Sequence, residues 1–140
     1  MKRCVYVCLL LMSVLFLAAC TTTAMQQDEL GPWLEEMSGD KEAAIDIEGR
    51  WQDAQGQSAF DWGRGKIEQD GNQLEGYLGE YKLQGMVSGD KVYLAMVYEG
   101  EVYYTARLEK DEEYLEGEYF DASDREQARG RAMVLESIER

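Results

Sequence analysis

The chain has 140 residues, of which 14 are lysine or arginine, 28 are aspartate or glutamate and none is histidine, so its formal net charge is −14. This acidic balance excludes nucleic acid as a partner, because nucleic-acid binding rests on basic contacts with phosphates. The lack of histidine removes the commonest general base, the commonest metal ligand and every Ser-His pair. We therefore predict no catalytic residues, no cofactor and no metal.

Residues 1–20 have the organisation of a secretory signal. Lys2 and Arg3 precede a largely apolar run of thirteen residues, 5–17, which is shorter than the roughly 20 apolar residues needed to cross a bilayer. The run ends in Leu-Ala-Ala-Cys at 17–20, which resembles the lipobox of bacterial lipoproteins. This resemblance implies cleavage before Cys20 and attachment of lipid to its sulfur. An ordinary secretory signal and an uncleaved anchor helix are the alternatives.

The lipobox resemblance also implies a location. Two or three acyl chains on Cys20 would hold the protein at a membrane persistently, whereas a single myristoyl chain binds only marginally. Thr21 stands where, in the enterobacterial pattern, an aspartate would favour the inner membrane. We therefore expect a lipid anchor in the periplasmic face of the outer membrane.

Cleavage before Cys20 would leave 121 residues, of which 12 are basic and 28 acidic, and a net charge of −16. Cys4 and Cys8 would leave with the signal, so no disulfide is expected. The charge disfavours anionic head groups and favours a basic partner, unless it is only a solvated surface. We divide the chain into the signal at 1–19, the lipidated cysteine, tether and short helix at 20–44, and a β-barrel domain at 45–140.

A polar tether at 21–28 precedes a short amphipathic helix near 30–39. Leu30, Trp33, Leu34 and Met37 recur at the spacing of one helix face, and Gly39 suits the end of the helix. A helix of about two turns is not stable alone in water. It must therefore dock on its own barrel, on a partner or on the membrane interface.

From residue 45 onward the pattern alternates between apolar and polar residues, with turn signals at short intervals. It predicts an all-β fold, a single antiparallel meander barrel of about eight strands. Gly76, Gly85 and Gly117 each follow a leucine by two residues, and glycines inside strands often mark the bends of a closing barrel. The predicted strands cover residues 45–51, 59–68, 73–79, 81–87, 91–98, 102–109, 114–120 and 130–137.

Two motifs at the ends of this meander have a counterpart in known barrels. Gly49-Arg50-Trp51 at the first strand and Arg129-Gly130-Arg131 at the last resemble motifs of the calycin barrels, which include lipocalins and avidin-like domains. The resemblance implies that Arg131 covers Trp51 as a structural lid on the barrel. It also extends to small bacterial barrels that inhibit envelope enzymes, although the disulfide common in those families is missing here.

Residues 123–138 fit two interpretations. Ser123 and Glu126 form a possible capping box for a helix. Gly130 and the alternation of Met133 with Leu135 favour a closing strand instead. We therefore predict a helical turn followed by a strand.

Carboxylates offer two candidate sites, which we reject. Glu116 and Glu118 share a strand face, but in so acidic a chain such pairs arise freely. A calcium site around residues 121–126 is disfavoured because the order of an EF-hand loop is absent.

The aromatic residues carry the remaining functional signal. Tyr93, Tyr98, Tyr103 and Tyr104 fall in one hairpin that is apolar on both faces. The helix with Trp33 covers the second face, or these residues bind a protein partner, since tyrosine and tryptophan are enriched at interfaces. The leading hypothesis is a membrane-anchored, non-catalytic module that binds an envelope protein, as an inhibitor or accessory subunit. The alternative is lipocalin-like binding of a small apolar ligand inside the barrel.

Overall fold

The computed structural model describes residues 25–138, so Cys20 and the signal segment lie outside the described residues. One helix, α1, precedes eight strands, which confirms the predicted all-β fold with a short N-terminal helix. The elements are α1 (Gln27–Ser38), β1 (Gly49–Asp53), β2 (Arg64–Asp70), β3 (Gln73–Leu78), β4 (Tyr81–Ser88), β5 (Lys91–Tyr98), β6 (Glu101–Asp111), β7 (Tyr114–Asp121) and β8 (Arg131–Ser137).

The strands form a closed antiparallel barrel in chain order. Each strand pairs with the next, and β1 pairs with β8 through Trp51 opposite Ser137 and Asp53 opposite Leu135. Short turns make this meander possible, with Gly71 and Gly89 in the left-handed region at φ of 60° and 61°. The barrel thus has two ends, each defined by alternate connections.

We name the ends by their connections. The distal end carries the turns β2–β3, β4–β5 and β6–β7. The proximal end carries the turns β3–β4 and β5–β6, the β7–β8 loop and the loop of residues 54–63 between β1 and β2.

Two strands begin four or more residues later than predicted. β1 begins at Gly49 instead of residue 45, and β2 begins at Arg64 instead of residue 59. The side chain of Asp61 accepts a hydrogen bond from the backbone N–H of Gly63, whose φ of 72° interrupts an extended strand. The 54–63 loop follows β8 instead, with Ala59 N–H donating to the carbonyl of Ala132.

The closing strand is present, and the helical alternative for residues 123–138 is wrong. Residues 122–130 form turns, in which the carboxylate of Asp124 accepts hydrogen bonds from the N–H groups of Ala128 and Arg129. β8 then alternates, with Met133 and Leu135 buried. A side chain that accepts hydrogen bonds from backbone N–H groups in a turn competes with helix formation. The possible capping box of Ser123 and Glu126 therefore does not start a helix here.

The barrel interior is filled by alternate side chains from every strand. The inward residues are buried against one another in a single cluster. They include Trp51, Ile67, Leu74, Leu78, Leu83, Val87, Val92, Leu94, Met96, Ala106, Leu108, Leu115, Tyr119, Met133 and Leu135.

Glycines allow neighbouring strands to approach where the barrel curves. A Cβ atom added at Gly85 would lie 2.2 Å from the carbonyl oxygen of Tyr93, and one added at Gly117 would lie 2.1 Å from that of Arg107. Both distances are impossible for real side chains. The predicted role of these glycines in closing the sheet is therefore confirmed.

Helix α1 covers the outer face of β4, β5 and β6. Leu30, Trp33 and Leu34 pack against Val97 and Val102 in a second buried cluster, with Tyr93 and Met37 partly buried at its edge. The backbone N–H of Gln26 donates to the carboxylate of Glu29 at the start of the helix. Of the predicted docking surfaces for this helix, its own barrel is the one observed.

Candidate interaction surface

Seven aromatic rings meet at the proximal end of the barrel. Neighbouring centroids lie between 4.8 and 6.4 Å apart, nearly all in edge-to-face contact, the geometry that aromatic quadrupoles favour. We call this set the aromatic end cluster: Phe60, Trp62, Tyr81, Tyr98, Tyr103, Tyr104 and Tyr119.

Trp62 is the centre of this cluster and closes the barrel. It comes from the 54–63 loop, is 2% exposed and has its ring centroid 4.8 Å from that of Tyr119 and 5.5 Å from that of Tyr104. Its indole N–H is buried without a hydrogen-bond partner among the described residues. An unsatisfied buried donor costs about 1–3 kcal/mol, which the burial of this large ring offsets.

Around this plug, four rings form an exposed or half-buried surface that we call the aromatic rim: Phe60, Tyr81, Tyr98 and Tyr103. Phe60 and Tyr103 are each 44% exposed and Tyr98 is 37% exposed. Tyr98 and Tyr103 face each other across the β5–β6 turn at 6.1 Å, and Tyr81 contacts both. Tyr81, Tyr98 and Tyr103 therefore form a continuous surface, and Phe60 is linked to them through its contact with Trp62, which in turn contacts Tyr81.

A β-bulge helps to place Tyr103 in the rim. The register of β5 and β6 shifts after Met96, which pairs with Tyr104, whereas Val97 pairs with Val102. Tyr103 is the extra residue, and a bulge redirects the side chain at such a position. Tyr103 reaches the rim while Tyr104 packs against the inner cluster.

Carboxylates accompany the rim. Asp61 adjoins Trp62, Glu80 precedes Tyr81, and Glu99 and Glu101 lie in or beside the β5–β6 turn. None of these four forms an ion pair within residues 25–138. Burial raises the pKa of Tyr81, with smaller contributions from Tyr104 and Glu80, so the hydroxyl is neutral at physiological pH. This side of the proximal end is acidic.

The β8 side of the proximal end has a paired arginine. The guanidinium of Arg131 lies 4.5 Å from the ring centroid of Tyr119, a cation–π contact, and is 2.7 Å from Asp121. Burial raises the pKa of the Tyr119 hydroxyl, although the charge of Arg131 opposes this shift. Arg131 thus covers an aromatic ring at the mouth of the barrel.

That ring is not the predicted one. Trp51 lies opposite Ser137, six residues beyond Arg131 on β8, a separation of about 20 Å at roughly 3.3 Å per residue. The indole N–H of Trp51 donates to the carbonyl of Ile47 at 2.9 Å. The predicted pairing of Trp51 with Arg131 is therefore corrected, since the register of β7 and β8 places Tyr119 directly opposite Arg131.

The predicted tyrosines separate into two groups. Tyr98, Tyr103 and Tyr104 belong to the aromatic end cluster. Tyr93 lies on the outer face beneath α1, and Trp33 is 7% exposed in the same place. The structure thus brings three of the five predicted interaction residues together and assigns Tyr93 and Trp33 to the contact between helix and barrel.

Sequence reasoning missed Phe60, Trp62, Tyr81 and Tyr119. The strand order could have identified Tyr81 and Tyr119. In an antiparallel meander, the first residue of one strand and the last residue of the next lie at the same end of the barrel. Tyr81 begins β4, Tyr98 ends β5 and Tyr119 falls near the end of β7. Phe60 and Trp62 carry no such signal, since they lie in a loop.

Three carboxylates of the rejected sites form other contacts within the protein. Asp121 pairs with Arg131, and Asp124 accepts from two backbone N–H groups, which lower its pKa. Glu118 lies 3.7 Å from Arg107. Within residues 25–138 no group of three or more acidic or cysteine side chains is placed to hold a metal ion.

No protein-family model, curated protein or solved structure matches this chain. The likeness to calycins therefore consists of strand number, antiparallel order and closure. Among the described residues, no helix has the length and apolar character required to cross a membrane.

Proposed function

We propose that this protein is a membrane-anchored, non-catalytic interaction module of the bacterial envelope. Lipid on Cys20 anchors it at the periplasmic face of the outer membrane, and its aromatic rim binds an envelope protein as an inhibitor or accessory subunit. The observation that carries the proposal is the exposed pair Tyr98 and Tyr103, which contact each other and Tyr81, with Phe60 exposed against the buried ring of Trp62.

The rim has the physical properties of a binding hot spot. Each exposed ring contacts another ring, so its rotamer is restricted before binding and less side-chain entropy is lost. Tyrosine supplies apolar area together with a hydroxyl that can form hydrogen bonds, which explains its enrichment at interfaces.

The charge around the rim indicates the kind of partner. Asp61, Glu80, Glu99 and Glu101 are unpaired among the described residues and stand beside apolar rings. Complementary charges accelerate association and select among partners. We infer a partner surface with basic residues around an apolar centre. The alternative of a small ligand inside the barrel has no comparable support, because the interior is filled by side chains.

The first prediction tests the rim through one tyrosine. The partner is identified by photo-crosslinking from position 103 of the full-length chain and mass spectrometry, and is then purified. We expect Tyr103→Ala to weaken its binding about 30-fold, since a hot-spot tyrosine contributes roughly 2 kcal/mol.

Tyr77 provides the matched control. It is the most exposed tyrosine, at 54%, but it lies on the outer wall of the barrel between Lys66 and Lys82. Tyr77→Ala should leave the dissociation constant unchanged. Equal affinities for Tyr103→Ala and the unmodified protein would show that the rim is not the binding surface.

A further inference from the structure

The described chain begins beside the aromatic rim. Met25 is fully buried, and its carbonyl accepts a hydrogen bond from the N–H of Val102 at 3.3 Å. Gln26 forms a β-bridge with Glu101, and Glu101 is opposite Tyr98. Tyr103 follows Val102 directly, so the start of α1 is fastened to the proximal end within a residue or two of the rim.

The short segment before Met25 limits how far the rim can move from an anchor at Cys20. Met25 lies five positions after Cys20, and a chain spans at most about 3.6 Å per residue, or roughly 18 Å in all. The distal end lies farther from the anchor than the rim does, by the length of a strand. Since β5 has eight residues at about 3.3 Å each and barrel strands tilt by roughly 40°, this adds about 20 Å.

We propose that the aromatic rim binds a basic, membrane-proximal segment of an envelope protein. The proposal rests on the proposed function, including the anchor at Cys20, and adds that the binding site on the partner lies at the membrane surface. The tether holds the rim at that surface and leaves the distal turns pointing away from it.

The charges of the rim favour a protein over the bilayer as its occupant. Interfacial tyrosines by themselves would also suit the head-group region. Four carboxylates that form no ion pair with any residue of the described range 25–138, however, stand beside these rings at the β3–β4 and β5–β6 turns and at Asp61. Anionic lipids would repel them, whereas lysines or arginines at the membrane surface of a partner would attract them.

Confinement by a short tether raises the local concentration of the rim at the membrane. For a flexible linker that concentration falls roughly as the −3/2 power of its length once the linker exceeds the span. Lengthening the segment from five to 25 residues would therefore lower it about tenfold. A partner site far from the membrane would show no such dependence.

The test uses the full-length chain in its own membranes. A photo-crosslinking residue replaces Tyr103 in the rim or, for comparison, Glu112 in the distal β6–β7 turn. Twenty glycine and serine residues are inserted between Thr23 and Ala24, outside the described residues. We expect position 103 to form a discrete protein adduct with the native tether, and the insertion to reduce its yield about tenfold.

Two results would overturn this inference, and the first of them would leave the proposed function intact. A protein adduct whose yield is unchanged by the insertion would place the partner site away from the membrane. Adducts with lipid in place of protein would make the bilayer the occupant of the rim. Thermal unfolding of the lengthened protein must match that of the native chain, which ensures that the insertion has changed reach and not folding.

The failure of the proposed function has a different signature. Binding of the identified partner to the full-length protein in detergent does not depend on the tether. If Tyr103→Ala has no effect there, the rim is not an interaction surface. A different outcome combines binding in detergent that depends on Tyr103 with a yield of the adduct in membranes that is the same for the native and the lengthened tether. In that case only the membrane-proximal position of the partner site is wrong.

Discussion

Gly117 shows how a single residue determines the curvature of the barrel. It pairs with Leu108 on β6 and with Met133 on β8, and a Cβ atom there would lie 2.1 Å from the carbonyl oxygen of Arg107. The obstacle is backbone, which cannot rotate away as a side chain can. Any larger residue must therefore separate the two strands.

We predict that Gly117→Ala lowers the free energy of unfolding by about 1–3 kcal/mol, the usual range for overpacking. Urea unfolding followed by tryptophan fluorescence measures the change. Gly31→Ala is the matched control, because nothing lies within 4 Å of the added atom on the surface of α1 and alanine favours the helix by roughly 1 kcal/mol. An unfolding midpoint for Gly117→Ala equal to that of the native protein would contradict the close approach of β6 and β7.

At the scale of elements, an ion pair joins α1 to the β7–β8 loop, and turn hydrogen bonds hold the loop in shape. Glu29 accepts from the N–H of Gln26 and lies 3.1 Å from Arg125 of the loop. The backbone hydrogen bond and then Arg125 lower the pKa of Glu29. The N–H groups of Ala128 and Arg129 likewise lower the pKa of Asp124.

These directions determine how stability depends on pH. A carboxyl whose pKa is lower in the folded state stabilises the fold above its unfolded pKa, and that contribution is lost as the pH falls through the folded value. We therefore predict that the thermal midpoint falls as the pH is lowered from about 5 to about 3, near and below the ordinary carboxyl range. Since these groups are exposed, salt should reduce the effect.

Glu29→Gln tests the contribution of the helix start. This variant should lose part of the acid-induced decrease, because the amide does not titrate. Glu36→Gln is the control, since Glu36 is an exposed residue of α1 and forms no ion pair with any described residue. If both variants keep the full decrease in the thermal midpoint, the contacts of Glu29 do not contribute to acid sensitivity.

At the scale of the whole molecule, the proposed function depends on a lipid anchor at Cys20, a residue outside the described range. We predict that Cys20→Ser abolishes labelling by a fatty-acid analogue and removes the mature protein from the outer-membrane fraction. Cys8→Ser should leave both unchanged, because residue 8 belongs to the predicted signal. Retention of labelled Cys20→Ser protein in that membrane would contradict the lipobox interpretation.

Much of the architecture was predictable from local patterns. The alternation from Val92 to Tyr98 places β5 correctly because period-two spacing is a property of the strand itself. Turn glycines such as Gly71 and Gly89 have positive φ angles that other residues rarely adopt, so they mark hairpins in the sequence. The first two strands were predicted to begin too early, since Ile45 and Ile47 before β1 alternate with polar residues and the 54–63 loop before β2 contains apolar residues that resemble a strand.

The fold class, the approximate strand positions and the apolar face of α1 were predictable from the sequence, because all of these follow from spacing along the chain. Which aromatic residues meet depends on the tertiary structure. Trp62, Tyr81 and Tyr103 become neighbours through closure of the barrel and the bulge in β6, and Arg131 covers Tyr119 because the register of β7 and β8 places them opposite each other. Contacts between residues distant in the chain depend on register and closure, which no local pattern encodes.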